Sequence, residues 1–106
     1  MTHRYDFLVI GSGIAGMSFA LKVAAHGKVA IITKNLLEDS NTFYAQGGIA
    51  SVSNVLDNFE KHITDTCIAG AGICNKKTVE KVIRDAPKQI RELINWGVNF
   101  DKNDKG

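Results

Sequence analysis

The stretch YDFLVIGSGIAG at residues 5–16 decides the fold of this chain. Its first half is a short apolar run, which predicts a parallel strand buried on both faces. Its second half is a G-x-G-x-x-G loop directly after that strand, the context that a dinucleotide-binding loop requires. A helix over residues 14–26, a helix stop at Gly27 and a second strand over residues 28–33 complete the predicted unit.

The three glycines of the loop have separate predicted roles. Gly11 permits the tight turn, Gly13 lets the backbone approach a pyrophosphate, and Gly16 allows close packing of the helix. Gly16, Ala20 and Ala24 recur every four residues and predict a stripe of small residues against the sheet. The free N–H groups at the helix start then favour an anion. The alternative is a glycine turn in an α/β domain that binds no nucleotide.

One expected part of a dinucleotide site is absent. An Asp or Glu about 20 residues past the loop normally binds the adenosine ribose, but the second strand ends in Thr33 and Lys34. Lys34 is suited either to a phosphate or to the adenine side of a cofactor. The residues by themselves therefore leave FAD and NADP both open.

A second segment with ligand-binding character follows the second strand. Hydroxyl and amide groups at Ser40, Asn41, Thr42 and Gln46 suit a heterocycle that has several donors and acceptors. The glycine doublet at residues 47–48 allows backbone N–H groups to reach the plane of such a ring. The alternative interpretation is a surface hairpin with a glycine turn.

Composition excludes several classes of function. The 106 residues carry a net charge of +2 with no run of like charge, and no apolar stretch is long enough to span a bilayer. We therefore predict a cytoplasmic protein that binds neither nucleic acid nor membrane. Cys67 and Cys74 have no metal-like spacing and are predicted to be buried thiols, and no metal site is predicted.

The sequence of the second half of the chain predicts helices. Asp57 opens a predicted capping box, and Leu56 begins a predicted apolar stripe that continues along the first of these helices. Asn75 is predicted to cap a further helix, which carries a Glu80–Arg84 pair on its outer face. Pro87 is predicted to break or restart this helix.

The segment SNTFYAQGGIA at residues 40–50 resembles the flavin-contact segment of the family that contains succinate dehydrogenase and fumarate reductase flavoproteins and L-aspartate oxidase. The L-aspartate oxidase pattern is the closer one, because DTCIAGAGIC at residues 65–74 also resembles it. The resemblance covers nearly the whole chain. It implies an α/β fold with a Rossmann-like FAD-binding βαβ unit, following helices and an incomplete doubly wound sheet.

The resemblance favours FAD over NADP, because the family pattern tolerates Lys34 in place of an acidic residue. It also implies non-covalent FAD. Members of the membrane complexes attach the flavin through a histidine at the place of Asn41, and an amide cannot act as that nucleophile. The predicted cofactor-binding residues are Gly11, Ser12, Gly13, Ile14, Ala15, Gly16, Lys34, Ser40, Asn41, Thr42, Phe43, Tyr44, Ala45, Gln46, Gly47 and Gly48.

The activity implied by the resemblance is oxidation of L-aspartate to iminoaspartate, with oxygen or fumarate as acceptor, in NAD biosynthesis. Quinolinate synthase is the implied partner. Residues 1–106 are expected to form the N-terminal part of the FAD-binding domain, without the capping domain or later segments. The isolated chain is therefore expected to be inactive, to lack catalytic residues and to self-associate. The alternatives are a soluble fumarate reductase or succinate dehydrogenase flavoprotein and a free-standing nucleotide-binding module.

Overall fold

The computed structural model describes residues 2–54 and 56–101. Two compact units divide the chain, Met1–Gly48 and Ile49–Gly106. The elements in chain order are β1 (Phe7–Ile10), α1 (Ile14–Val23), β2 (Val29–Ile32), α2 (Phe59–Ala69) and α3 (Lys76–Asn95). The first three belong to the first unit, and the two longer helices belong to the second. No helix among the described residues is long and apolar enough to cross a membrane.

The first unit is a strand, helix and strand in which the two strands pair in parallel. Phe7 lies opposite Val29 and Ile10 lies opposite Ile32, so the two strands end level with each other. α1 connects them and packs on both. The predicted α/β order and the parallel pairing are therefore confirmed for these residues.

Small residues bring α1 close to the sheet, as the stripe predicts. A Cβ on Gly16 would overlap the carbonyl oxygen of Gly11 and lie 3.3 Å from a methyl group of Val9. Val9 and Ala20 are the buried hydrophobic residues of this unit, 6% and 7% exposed. The stripe ends there, because Ala24 is exposed and follows the last helical residue.

The predicted helix stop at Gly27 is wrong, because α1 already ends at Val23. Gly27 has a different role. The Asp6 carboxylate accepts a hydrogen bond from the Lys28 N–H at 2.8 Å, and a Cβ on Gly27 would lie only 2.7 Å from that carboxylate. Glycine is therefore needed for the close approach of Asp6, which fixes the start of β2 beside β1.

The prediction that β1 is buried on both faces is also wrong. Successive side chains of a strand point to opposite faces, and Val9 faces α1. On the other face Leu8 is 59% exposed, Ile10 is 83% exposed and Ile32 on β2 is 52% exposed. Within the first unit, a helix covers only one face of this two-stranded sheet.

The start of α2 differs from the predicted capping box. Asn58 is the N-cap, and its side-chain oxygen accepts from the Lys61 N–H at 2.6 Å. Asp57 lies one residue earlier and accepts from the Asn58 N–H at 2.9 Å. Leu56 precedes the helix and is 93% exposed, so it does not belong to the apolar face, whose buried member is Ile63.

Asn75 caps α3 as predicted, accepting from the Thr78 N–H at 3.2 Å. The predicted break at Pro87 is wrong, since α3 is one continuous helix of 20 residues with Pro87 inside it. Proline removes one backbone hydrogen bond, and the buried Ile83 anchors the helix on the preceding turn. After the capping residue Trp96, Gly97 has φ +97°. Its N–H and that of Val98 close a Schellman motif on α3 carbonyls.

An ion pair joins α2 to α3. The Arg84 guanidinium donates to both carboxylate oxygens of Glu60 at 2.8 Å and lies 5.7 Å from the ring centre of Phe59. The hydrogen bonds and charge of Glu60 raise the pKa of Arg84 above its ordinary value. The predicted Glu80–Arg84 ion pair is wrong, because Glu80 lies 3.9 Å from Lys76 and Arg84 reaches across to the other helix.

The capping assignment gives a direct test. We expect Asn58→Ala to lower the free energy of unfolding by about 1 kcal/mol, because an N–H in the first turn of α2 loses its acceptor. Asp57→Ala is the matched control and should cost less than about half as much, because it removes no helix cap. Urea unfolding followed by circular dichroism measures both. A larger loss for Asp57→Ala would restore the capping box predicted from the sequence.

Candidate functional site

The candidate site lies where the two parallel strands end. The Gly11 N–H donates to the Ile32 carbonyl at 2.8 Å, and the hydroxyls of Ser12 and Thr33 are 3.3 Å apart. These bonds tie the glycine loop after β1 to the end of β2. In open α/β folds, ligands bind at this carboxyl edge of the sheet.

A backbone angle and a packing contact within the protein account for two of the three loop glycines. Gly11 has φ +105°, a conformation that favours glycine, and Gly16 packs against the Gly11 backbone. Gly13 has an ordinary φ of −72°. A Cβ there would lie 3.7 Å from the Thr42 hydroxyl, an ordinary contact. No contact or backbone angle in the described protein requires glycine at position 13.

The start of α1 presents free backbone donors. Its N-cap Gly13 has no side chain to cap it, and its first turn has no acidic residue. The first intrahelical hydrogen bond runs from the Met17 N–H to the Gly13 carbonyl. The N–H groups of Ala15 and Gly16 therefore have no acceptor within the helix. This end of the helix favours a bound anion such as a pyrophosphate.

The second segment forms a compact turn beside this helix start. Ser40 holds it: its hydroxyl accepts from the Phe43 N–H and its carbonyl from the Tyr44 N–H, both at 3.2 Å. The Tyr44 hydroxyl donates to Asp39 at 2.8 Å. The hairpin interpretation is wrong, because the described residues 33–54 form no strand.

One hydrogen bond connects this turn to the glycine loop. The Ile14 N–H donates to the Thr42 hydroxyl at 3.0 Å, across 28 positions of sequence. Ile14 is the first residue of α1, whereas a side chain at the N-cap position accepts from the second or third helical N–H. Thr42 therefore satisfies a donor that an ordinary N-cap does not reach.

A groove between the glycine loop and the second segment has a volume of about 370 Å³, which lies in the lower part of the range for small-molecule sites. It brings together four of the predicted residues, Ser12, Ser40, Thr42 and Phe43. The sequence reasoning missed its other lining residues, which are Met17, Leu37 and Glu38. Of these, only Met17 could have been found from the sequence, because it lies one helical turn beyond Gly13 and therefore on the same side of α1.

The other predicted residues of the second segment do not line this groove. Asn41 and residues 45–48 are exposed, and no hydrogen bond joins residues 45–48 to the glycine loop in the described structure. Lys34 is exposed two positions beyond the end of β2. The groove thus gathers the hydroxyl groups of Ser12, Ser40 and Thr42, whereas the predicted amides and Lys34 do not line it.

The second unit has a groove of its own near the start of α2. It is lined by Ile49, Ala50, Ser51, Asp57, Lys61, His62 and Asp65. The Ser51 hydroxyl is buried and has no hydrogen-bond partner among the described residues. In the part of the chain that the structure describes, no three His, Cys, Asp or Glu side chains are grouped closely enough to hold a metal ion.

The fold and the site define an α/β protein in which a glycine loop and a helix start that favours an anion lie at the carboxyl edge of a parallel sheet. Residues 6–106 match the model of the family described as "FAD binding domain". The chain belongs to this family, and its cofactor is FAD. The likeness to flavoproteins expected from the second segment is thereby confirmed.

The curated relatives are several times longer than this chain. L-aspartate oxidase 2-b of Nicotiana tabacum, named as chloroplastic, is 51% identical over 106 residues, which are 100% of this chain and 16% of that protein. L-aspartate oxidase of Vibrio cholerae is 50% identical over 102 residues, 96% of this chain and 19% of that protein. The chain therefore spans less than a fifth of the length of these two relatives.

Two solved structures share the fold. A mutant of Escherichia coli quinol fumarate reductase superposes with a TM-score of 0.86 at 30% identity and covers 100% of this chain and 19% of its own. The Mycobacterium smegmatis Sdh1 complex in its apo form gives 0.83 at 32% identity, over 98% of this chain and 18% of its own. The arrangement of helices and strands is therefore the one found in these flavoprotein relatives.

The unexplained glycine makes a testable prediction. We expect Gly13→Ala to keep the fold but to weaken FAD binding at least about tenfold, because the added Cβ holds the pyrophosphate off the N–H groups. Flavin fluorescence titration of apoprotein made from the complete reading frame measures the affinity.

Gly16→Ala is the comparison variant. Its Cβ overlaps the Gly11 backbone, so it should lower the thermal midpoint as well as the affinity for FAD. If Gly13→Ala bound FAD with unchanged affinity, the glycine at that position would have no role in cofactor approach.

Proposed function

We propose that this chain is the N-terminal FAD-binding portion of an L-aspartate oxidase, with residues 1–106 forming the first part of its FAD-binding domain. The observation that supports FAD binding is the glycine at position 13. No contact or backbone angle within the described protein requires glycine there, and the helix start beside it offers free N–H groups. The relatives of about 50% identity support the choice of enzyme.

In this proposal β1, α1 and β2 are the first unit of a Rossmann-like, doubly wound sheet. The parallel register and the glycine loop at the carboxyl edge support it. Such sheets are covered on both faces, and the exposed face around Ile10 is where a further layer is expected.

The proposed cofactor contacts follow the two tied segments. Residues 11–16 bind the pyrophosphate through backbone N–H groups, and Lys34 lies toward the adenosine side. Residues 40–48 contact the flavin. The flavin is bound non-covalently, because the amide of Asn41 is not a nucleophile and cannot form a covalent bond to it. The groove between Ser12 and Phe43 supports this order of contacts, because it joins the two segments.

When bound, FAD supplies the hydride acceptor for oxidation of L-aspartate to iminoaspartate, and oxygen or fumarate serves as the final acceptor. The residues of this chain hold and orient the cofactor and exclude water from one side of it. No catalytic residue is proposed among them. Proton transfer and substrate binding are assigned to later segments of a longer protein.

The two alternative functions have less support. The fumarate reductase and Sdh1 structures are 30% and 32% identical to this chain, whereas the two L-aspartate oxidases are 51% and 50% identical. No observation favours a free-standing nucleotide-binding module.

The location and the partner protein are further parts of the proposal. The proposed location is the cytoplasm, whereas the tobacco relative is named as chloroplastic. Quinolinate synthase stays a predicted partner, and no described surface identifies its docking site. Binding of the purified partner to the full-length protein in a pull-down assay would test it.

Cofactor release tests the proposed function. The protein made from the complete reading frame should purify yellow and form hydrogen peroxide with L-aspartate but not with succinate. Acid denaturation should release free FAD into the supernatant, because no covalent bond holds it. The 106-residue chain is the control and should show no turnover. Flavin that stays on the denatured polypeptide, or turnover of succinate alone, would contradict the proposal.

Self-association of the isolated chain is a separate prediction. Leu8, Ile10 and Ile32 form an exposed apolar face on the sheet, and burial of such a face is favourable. Light scattering of the 106-residue chain should show an apparent mass that rises with concentration. Ile10→Lys should reduce this rise, and a monomer at all concentrations would oppose the prediction.

A further inference from the structure

We infer that Thr42 is a positioning residue that sets the distance between the pyrophosphate-binding loop and the flavin-binding segment. The inference rests on the proposed function for the identity of the two segments. Thr42 is a predicted cofactor contact, but its hydroxyl has a protein partner, and that partner defines a different role.

The bond from the Ile14 N–H to the Thr42 hydroxyl is 3.0 Å long. Within the described structure it is the one hydrogen bond between residues 11–16 and residues 40–48. A side chain at the N-cap position, which Gly13 occupies, would accept from the second or third helical N–H and would not replace this bond. Loss of the Thr42 hydroxyl would therefore leave the two segments connected only by packing and by the chain between them.

Both ends of this bond are held in place. Ile14 begins α1, whose packing at Gly16 fixes it on the sheet. Thr42 lies inside the turn that Ser40 closes, and its own carbonyl accepts from the Ala45 N–H at 3.4 Å. Movement of Thr42 would therefore shift the following residues, which are those proposed to contact the flavin.

The arrangement also separates two tasks. The Ile14 N–H is used by Thr42, whereas the N–H groups of Ala15 and Gly16 stay available to an anion. A ligand that binds only the glycine loop does not depend on the distance that Thr42 sets. A ligand that binds both segments gains affinity from simultaneous contact only when that distance matches its own length.

The experiment compares FAD with ADP, which has the pyrophosphate but no flavin. Apoprotein from the complete reading frame is titrated with each ligand by calorimetry, as wild type, Thr42→Val and Thr42→Ser. We expect Thr42→Val to weaken FAD about tenfold and ADP by less than about twofold, and Thr42→Ser to bind both like the wild type. Thr64→Val, an exposed threonine of α2, is the matched control and should change neither affinity.

Equal weakening of FAD and ADP by Thr42→Val would overturn the inference, because the hydroxyl would then act on the phosphate site itself or on the fold. Unchanged FAD affinity would also overturn it.

Amide hydrogen exchange at Ile14 supplies a readout without any ligand. Exchange should be faster in Thr42→Val and unchanged in Thr42→Ser, and equal exchange in all forms would overturn the link between the segments. If the wild type binds no FAD but Thr42→Val exchanges faster, the proposed function fails and the Thr42 link stands.

Discussion

The close approach of α1 to the glycine loop is the constraint on which the rest of the site depends. Because Gly16 has no Cβ, the first turn of α1 lies directly on the Gly11 backbone. This contact places the helix start at the carboxyl edge of the sheet, where the glycine loop is also bonded to the end of β2. The free N–H groups, the groove and the Thr42 bond all take their positions from it.

The sequence predicted the features that depend on local chemistry. The predicted roles of Gly11 and Gly16, the parallel strands around the loop and the Asn75 cap are confirmed, because a short sequence pattern specifies each of them. Features decided by competition between neighbours were missed. Asn58 and Asp57 are both good capping residues, and only the helix start shows that Asn58 caps α2. Pro87 disfavours a helix locally, but packing of the surrounding turns keeps α3 continuous.

Part of the site was beyond sequence reasoning for a different reason. The Thr42 bond spans 28 positions, and no periodicity or motif in the intervening residues signals it. Leu37 and Glu38 line the groove because the chain turns back after β2, a path that their residue types do not specify. Contacts set by the course of a loop need coordinates, whereas contacts set by a glycine or a helix cap do not.

The division into two compact units has a spectroscopic consequence. The only tryptophan, Trp96, ends α3 in the second unit, and both tyrosines, Tyr5 and Tyr44, belong to the first. Emission excited selectively at the indole reports on residues 49–106, and tyrosine emission reports on residues 1–48. Tyr44 belongs to the proposed flavin segment, so energy transfer to a bound yellow chromophore would dim the tyrosine signal. The natural fluorophores thus label the two units separately, without any introduced dye.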